Sequence, residues 1–228
     1  MVMPIRPRAV AFDVVQTLMS LEPLRARLTD SGFARTTLER WFDRIVRDGM
    51  ALSLAGDYVA FPTLATNTLR TLATDDLDAA VDHVVASFAE LPAQPDAGPA
   101  MRLLAEAGVR IVCLSNGPAQ STEDFLRRCE LDRHVEQVLS VEDVERWKPA
   151  REVYLHAARR IGLQPAEVAL VAVHAWDCHG AARAGLTTGW ASRLEGRQPE
   201  HFERPDITGA DLVAVAQGLL ALPAGSSA

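Results

Sequence analysis

Lysine is almost missing from this chain of 228 residues: Lys148 is the only one, and every other strong cation is an arginine. The general preference for arginine reflects genome composition and carries no functional message. A site that needs a compact, rotatable ammonium must still keep a lysine, because the planar guanidinium is no substitute. Basic runs are missing as well. The chain sets 23 Lys and Arg against 30 Asp and Glu, for a formal charge of −7, which argues against nucleic acid or an anionic membrane as the main partner. No stretch approaches the roughly 18 uninterrupted apolar residues needed to span a bilayer. Cysteine is scarce: Cys113, Cys129 and Cys178 are widely spaced without metal-like pairing, so they read as small core residues in a reducing cytoplasm. The opening Met-Val-Met-Pro-Ile-Arg-Pro-Arg runs straight into a strand and leaves no room for a signal peptide.

What is there is a core: 48% of the residues are hydrophobic, enough for one domain with an insertion. Short apolar runs bounded by turn residues alternate with amphipathic stretches, the pattern of βαβ units and a parallel sheet. Strands are expected at residues 9–13, 110–115, 137–140, 168–173 and 188–191, each followed by a helix, the last at about 210–222. The small, polar tail 223–228 is expected to fray. Residues 20–91 show helical periodicity and no convincing strand, which predicts a helical cap inserted into a core of residues 1–19 and 92–228.

Four strand ends carry chemistry. Ala9-Val10-Ala11-Phe12 drives into Asp13, and a buried aspartate costs several kcal/mol unless it is paired or used. In open α/β sheets the carboxyl ends of the strands are also where ligands bind. Two residues on, where a phosphate-transferring site wants a general acid, stands Val15. Ile111 to Leu114 ends in Ser115-Asn116-Gly117 ahead of a helix, either an anion site or a simple helix cap. Trp147-Lys148-Pro149 precedes a helix carrying Tyr154. Ala169 to Val173 runs into His174, Trp176 and Asp177. Singly, Lys148 could be solvated, His174 a satisfied core residue and Asp177 an N-cap. Together at one sheet edge they are harder to dismiss.

In order and spacing, AFDVVQTL, LSNG, SVEDVERWKP with Tyr154 beyond it, and HAWD before Gly180-Ala181-Ala182-Arg183-Ala184-Gly185-Leu186 resemble the haloacid dehalogenase superfamily, and within it the L-2-haloacid dehalogenase branch. The resemblance covers essentially the whole chain. It implies a modified Rossmann core with a helical cap, commonly a homodimer, and hydrolysis without metal or cofactor. Asp13 would be the nucleophile, displacing halide from a short organic acid to leave an ester that water hydrolyses. Thr17 and Ser115 with the Asn116 backbone would hold the substrate's carboxylate or the nucleophile. Lys148 would pair with Asp13 and keep it ionised. Tyr154 would support Lys148 or the acid. Asp177 would hold Lys148 or help activate water, and Trp176 would supply an apolar wall. Chloride and bromide leave as anions without a protonating acid, so Val15 is tolerable in that chemistry.

Two departures stand out. A gapless reading of the cap puts Phe42 where the branch carries an arginine for substrate acid and halide. Phe42 would then turn an apolar ring to the cavity and suit a less polar or larger substrate. Arg40, Arg44 and Arg47, spaced i, i+4, i+7, read as a solvated face. Ala172 and His174 stand where the branch generally has serine and asparagine. His174 could hydrogen-bond a leaving halide or act as base toward the hydrolytic water. A phosphatase or phosphonate hydrolase, or a silent member binding a small anion, are the alternatives.

Overall fold

The computed structural model describes residues 4–74 and 77–225. Among these, β1 (Ala9–Phe12), β2 (Arg110–Ser115), β3 (Gln137–Ser140), β4 (Val168–Ala172), β5 (Thr187–Ala191) and β6 (Ile207–Gly209) form one sheet. Its order is β3-β2-β1-β4-β5-β6, with every neighbouring pair parallel. The strand order reverses between β1 and β4, and there the crevice beyond the carboxyl ends opens for ligands. β1 lies at the centre, its four residues buried on both faces, which is why the sequence reads as a continuous apolar run.

The pleat sends alternate residues to two cores. Val10, Phe12, Ile111, Cys113, Ala169 and Val171 pack on one face with α5 (Ala97–Glu106) and α9 (Leu212–Ala221). Ala9, Ala11, Val112, Leu114 and Leu170 pack on the other with α7 (Arg151–Arg160) and α8 (Ala175–Ala184). α6 (Ala119–Arg128) follows β2 and buries Phe125 and Leu126 on the first face.

The structure corrects several boundaries. β1 ends at Phe12 and β4 at Ala172, so Asp13 and Val173 lie just past their strands. Between β5 and the final helix stands a strand that was not expected. The chain returns there as the edge strand β6, pairing Ile207 with Gly189. The final helix begins two residues later than expected, where Asp211 caps it by accepting the Ala214 N–H at 2.8 Å. Of the tail expected to fray, residues 226–228 lie outside the described residues.

Between β1 and α5 the chain forms α1 (Glu22–Asp30), α2 (Thr37–Ala55), α3 (Phe61–Arg70) and α4 (Asp78–Ala86). α2 buries Trp41, Phe42, Ile45 and Gly49 along one face, as its periodicity dictates. On its other side Arg40 and Arg47 are exposed, and the half-buried Arg44 donates to Thr71 Oγ1 at 3.1 Å. The chain leaves and re-enters the sheet layer along adjacent paths. Met19 bridges Ala93 in antiparallel fashion, Ser20 N–H donates to Pro92 O at 2.9 Å, and Gln94 N–H donates to Leu18 O at 2.7 Å.

Trp147, fully buried, fastens the helical insert to the loop carrying Lys148. Its backbone N–H donates to Ser53 Oγ at 2.7 Å and its indole N–H to Val59 O at 3.0 Å. Its ring stacks on Phe61 with centroids 5.9 Å apart. Gly49 of α2 approaches so closely that a Cβ there would lie 2.3 Å from the ring.

Candidate active site

Asp13 leaves β1 at the point of strand-order reversal, its N–H donating to Val171 O at 3.0 Å. Both carboxylate oxygens are held. Oδ1 accepts from Lys148 Nζ at 2.6 Å, and Oδ2 accepts from Thr17 Oγ1 at 2.6 Å. Thr17 in turn accepts the Val173 N–H at 3.1 Å, so the nucleophile candidate is tied to the start of the β4–α8 turn. Burial alone would raise the Asp13 pKa. The Lys148 ammonium, with His174 adding to it, outweighs that and holds the carboxyl well below its ordinary range.

Lys148 is wholly buried, an unusual place for an ammonium unless its three N–H bonds are answered. They are: Asp13 Oδ1, Asp177 Oδ2 at 2.7 Å and Leu114 O at 3.1 Å each accept one. Burial pushes its pKa down, but the two carboxylates prevail and leave it above the ordinary value of 10.5. Asp177, in the first turn of α8, is also fully buried. Its Oδ1 accepts from Tyr154 Oη at 2.6 Å. Burial is the main cause of its raised pKa, with Lys148 opposing and Asp13 adding. The N-cap position of α8 belongs to His174, not to Asp177.

His174 lies over Asp13, with its Nδ1 at 3.3 Å from Oδ2. That nitrogen is buried and poorly aligned for a hydrogen bond; it has no partner. Its Nε2 is 2.9 Å from Gln16 Oε1. Phe42 stacks with the imidazole at a centroid distance of 5.9 Å and Trp176 at 5.2 Å.

Asp13, Val15, Phe42, Val46, Asn116, His174 and Trp176 line a cavity of about 10 Å³, closed by Phe61 and Trp147. That is room for about one water molecule. Beyond Val15 and Phe61 lies a chamber of about 340 Å³ between the insert and α6, with Pro62, Ala65, Val85 and Phe88 on one wall and Ser115, Gly117 and Ser121 on the other. Ser115 does not reach Asp13. Its Oγ accepts the Gly117 N–H at 2.9 Å, which excludes the reading as a helix cap, since α6 starts at Ala119 without a side-chain cap. Asn116 Oδ1 accepts the Lys148 N–H at 3.0 Å and so positions the lysine rather than the nucleophile.

The structure thus gathers Asp13, Thr17, Lys148, Tyr154 and Asp177 into one hydrogen-bonded cluster, with His174 set against Asp13, and Phe42 and Trp176 as walls. Cys113 lies nearby, but burial first and Asp13 second push its thiol to about 12, so it offers no thiolate. Among the described residues no group of three His, Cys, Asp or Glu is placed to hold a metal ion. Three neighbours went unnoticed in the sequence: Gln16, Arg193, which donates to Thr17 O at 2.6 Å and Asp96 Oδ2 at 3.0 Å, and Glu195, which accepts the Ala175 N–H at 3.1 Å. No local pattern announces these long-range bonds.

Known proteins share this framework. Residues 7–185 match the family model of the haloacid dehalogenase-like hydrolases. The (S)-2-haloacid dehalogenase 4A of Burkholderia cepacia is 32% identical over 204 residues, covering 87% of this chain and 88% of that protein. A solved L-2-haloacid dehalogenase is 29% identical with a TM-score of 0.86, covering 94% of this chain and 99% of its own. A dehalogenase solved with an intermediate complex is 28% identical with a TM-score of 0.83, covering 91% of this chain and 94% of its own. A buried aspartate paired with a lysine at the switch point of a parallel sheet, beneath inserted helices, thus has the sequence and the fold of one family behind it, and this chain belongs to the haloacid dehalogenase-like hydrolases.

Proposed function

We propose that this hydrolase cleaves the carbon–halogen bond of a short 2-haloacid of S configuration through an ester on Asp13. The observation that carries the reading is a carboxylate held ionised by Lys148, facing a cavity, with Val15 where an acid would assist an oxygen leaving group. A carboxylate oxygen of Asp13 attacks the carbon bearing the halogen from behind. The new C–O bond forms as the C–X bond breaks, and halide leaves with the electron pair. Water then adds to the Asp13 carbonyl, the acyl C–O bond breaks, and a 2-hydroxy acid of inverted configuration departs. No protonating group is needed for chloride or bromide, whereas phosphate-ester cleavage without one would forfeit on the order of 10²–10⁴ in rate.

In this reading Lys148 and Thr17 orient the nucleophile, while Asp177 and Tyr154 fix Lys148. Ser115 Oγ and the Asn116 N–H meet the substrate's carboxylate at the approach to α6. Phe42, Trp176 and Phe61 exclude water around the reacting carbon. The insert of residues 20–91 acts as the cap, no metal takes part, and the working form is a homodimer in the cytoplasm. The relatives named (S)-2-haloacid dehalogenase support the substrate class. Single turnover in H₂¹⁸O with 2-chloro- and 2-bromopropionate tests it, with mass spectrometry of the Asp13 peptide. Heavy oxygen is expected in the Asp13 carboxyl. Label confined to the product, or magnesium-dependent hydrolysis of p-nitrophenyl phosphate without halide release, would refute it.

A further inference from the structure

An ester on Asp13 needs a base to activate the water that removes it, and two side chains stand close enough to compete for that task. Asp177 is fully buried, gives Oδ1 to Tyr154 and Oδ2 to Lys148, and does not line the cavity. His174 does line it. Its Nδ1 is buried, without a hydrogen-bond partner, and 3.3 Å from Asp13 Oδ2. An amide oxygen only accepts, so the 2.9 Å contact between Gln16 Oε1 and Nε2 requires the proton on Nε2. Once Asp13 is esterified its negative charge is gone, and a ring carrying its proton on Nε2 alone presents the lone pair of Nδ1 to the ester. Both Phe42 and Trp176 stack with the imidazole.

Gln16 holds this place at φ 65°, in the left-handed region that disfavours side chains other than those of Gly, Asn and Asp. The surroundings enforce it: its carbonyl accepts from Gln94 Nε2 at 3.2 Å and from Arg193 at 3.3 Å. A side chain kept in an unfavourable backbone region, with its amide on a buried imidazole, points to use.

Resting on the ester reading above, we infer that His174 is the general base of the hydrolytic half-reaction and that Gln16 positions it. Water in the cavity that His174 and Asp13 both line donates to Nδ1 and faces the Asp13 carbonyl carbon. Nδ1 takes one of its protons as the oxygen bonds to that carbon. The tetrahedral adduct then breaks its bond to the substrate's oxygen, which recovers the proton from Nδ1 and leaves as the hydroxy acid. The Asp13 carboxyl releases its remaining proton to solvent and again faces Lys148.

The test follows halide by rapid quench and the intact protein by mass, using 2-bromopropionate with the wild type, His174→Phe, Gln16→Met and Gln16→Glu. His174→Phe keeps a ring for Phe42 and Trp176 to stack on but has no base, and should release one equivalent of halide at near the wild-type rate and then stall as the ester adduct, with turnover down roughly 10²–10⁴-fold. Gln16→Met should accumulate the same adduct, and combining it with His174→Phe should slow hydrolysis no further. Gln16→Glu keeps an acceptor for Nε2–H on the same backbone, so it should recover hydrolysis to within about tenfold. The inference is overturned if the variants accumulate no adduct, if both half-reactions fall together, or if Gln16→Glu behaves as Gln16→Met. A wild type that gives neither halide nor adduct would instead refute the ester reading and take this inference with it.

Discussion

Removing the Lys148 ammonium while keeping its volume, as Lys148→Met, should be among the most damaging single changes to this protein. Asp13 and Asp177, both deeply buried, would face each other without the cation that each contacts at 2.6 and 2.7 Å. Breaking a buried pair from one side costs about 3–5 kcal/mol, because the remaining charge is left uncompensated. For a domain of this size that corresponds to a melting temperature lower by about 6–20 °C. The pH dependence should change sign as well. In the wild type the depressed Asp13 pKa contributes stability that is present above the ordinary 3.8 and lost only as pH falls further. Without the lysine, burial is left to raise the carboxyl pKa values, so the folded state binds more protons than the unfolded one. The variant should then become more stable on acidification from pH 7 toward 4. Removing the second charge, as in Lys148→Met with Asp177→Asn, should recover part of the loss. Calorimetry across pH 4–8 measures all three effects. A Lys148→Met protein melting within about 2 °C of the wild type, or a double variant no better than the single one, would refute the reasoning.

Other predictions concern packing and the reaction. Gly180→Ala places a Cβ 2.5 Å from Pro149 Cβ and 2.7 Å from Tyr154 Oη. It should destabilise by about 1–3 kcal/mol in urea unfolding through overpacking, and slow halide release through Lys148. The chamber beyond Val15 and Phe61 should accept the alkyl chain of longer 2-bromoacids, raising kcat/KM about fourfold per methylene at about 0.8 kcal/mol each. Ser121→Phe, which fills part of that chamber, should abolish the gain for 2-bromohexanoate while leaving 2-bromopropionate unaffected. The single-turnover rate of halide release should stay flat from pH 7 down to about 4.5, because Asp13 remains ionised below its ordinary 3.8. A decline centred between pH 5 and 6 would show that another group limits the displacement.

Much of this was legible in the residues because strand ends write their chemistry into local sequence. Apolar runs ending in Asp13, Ser115 and His174 marked both the strands and the edge where they converge. A lone lysine in an arginine-using chain marked Lys148. What stayed hidden depends on distance. β6 is a half-exposed edge strand of three residues after Arg204-Pro205-Asp206, with no apolar run to signal it. Phe42 was expected to face the cavity and does line it, but its stacking on His174 joins elements 132 residues apart by number (174 − 42). Gln16 could not be singled out because its importance comes from a left-handed backbone and a partner on another strand's end.

Having its one lysine wholly out of solvent gives the molecule a built-in tell-tale. Apart from the α-amino group, the folded chain offers acylating reagents no primary amine. Label on Lys148 therefore counts the molecules whose centre has opened, and the rate at which that label arrives times the opening of the catalytic heart itself.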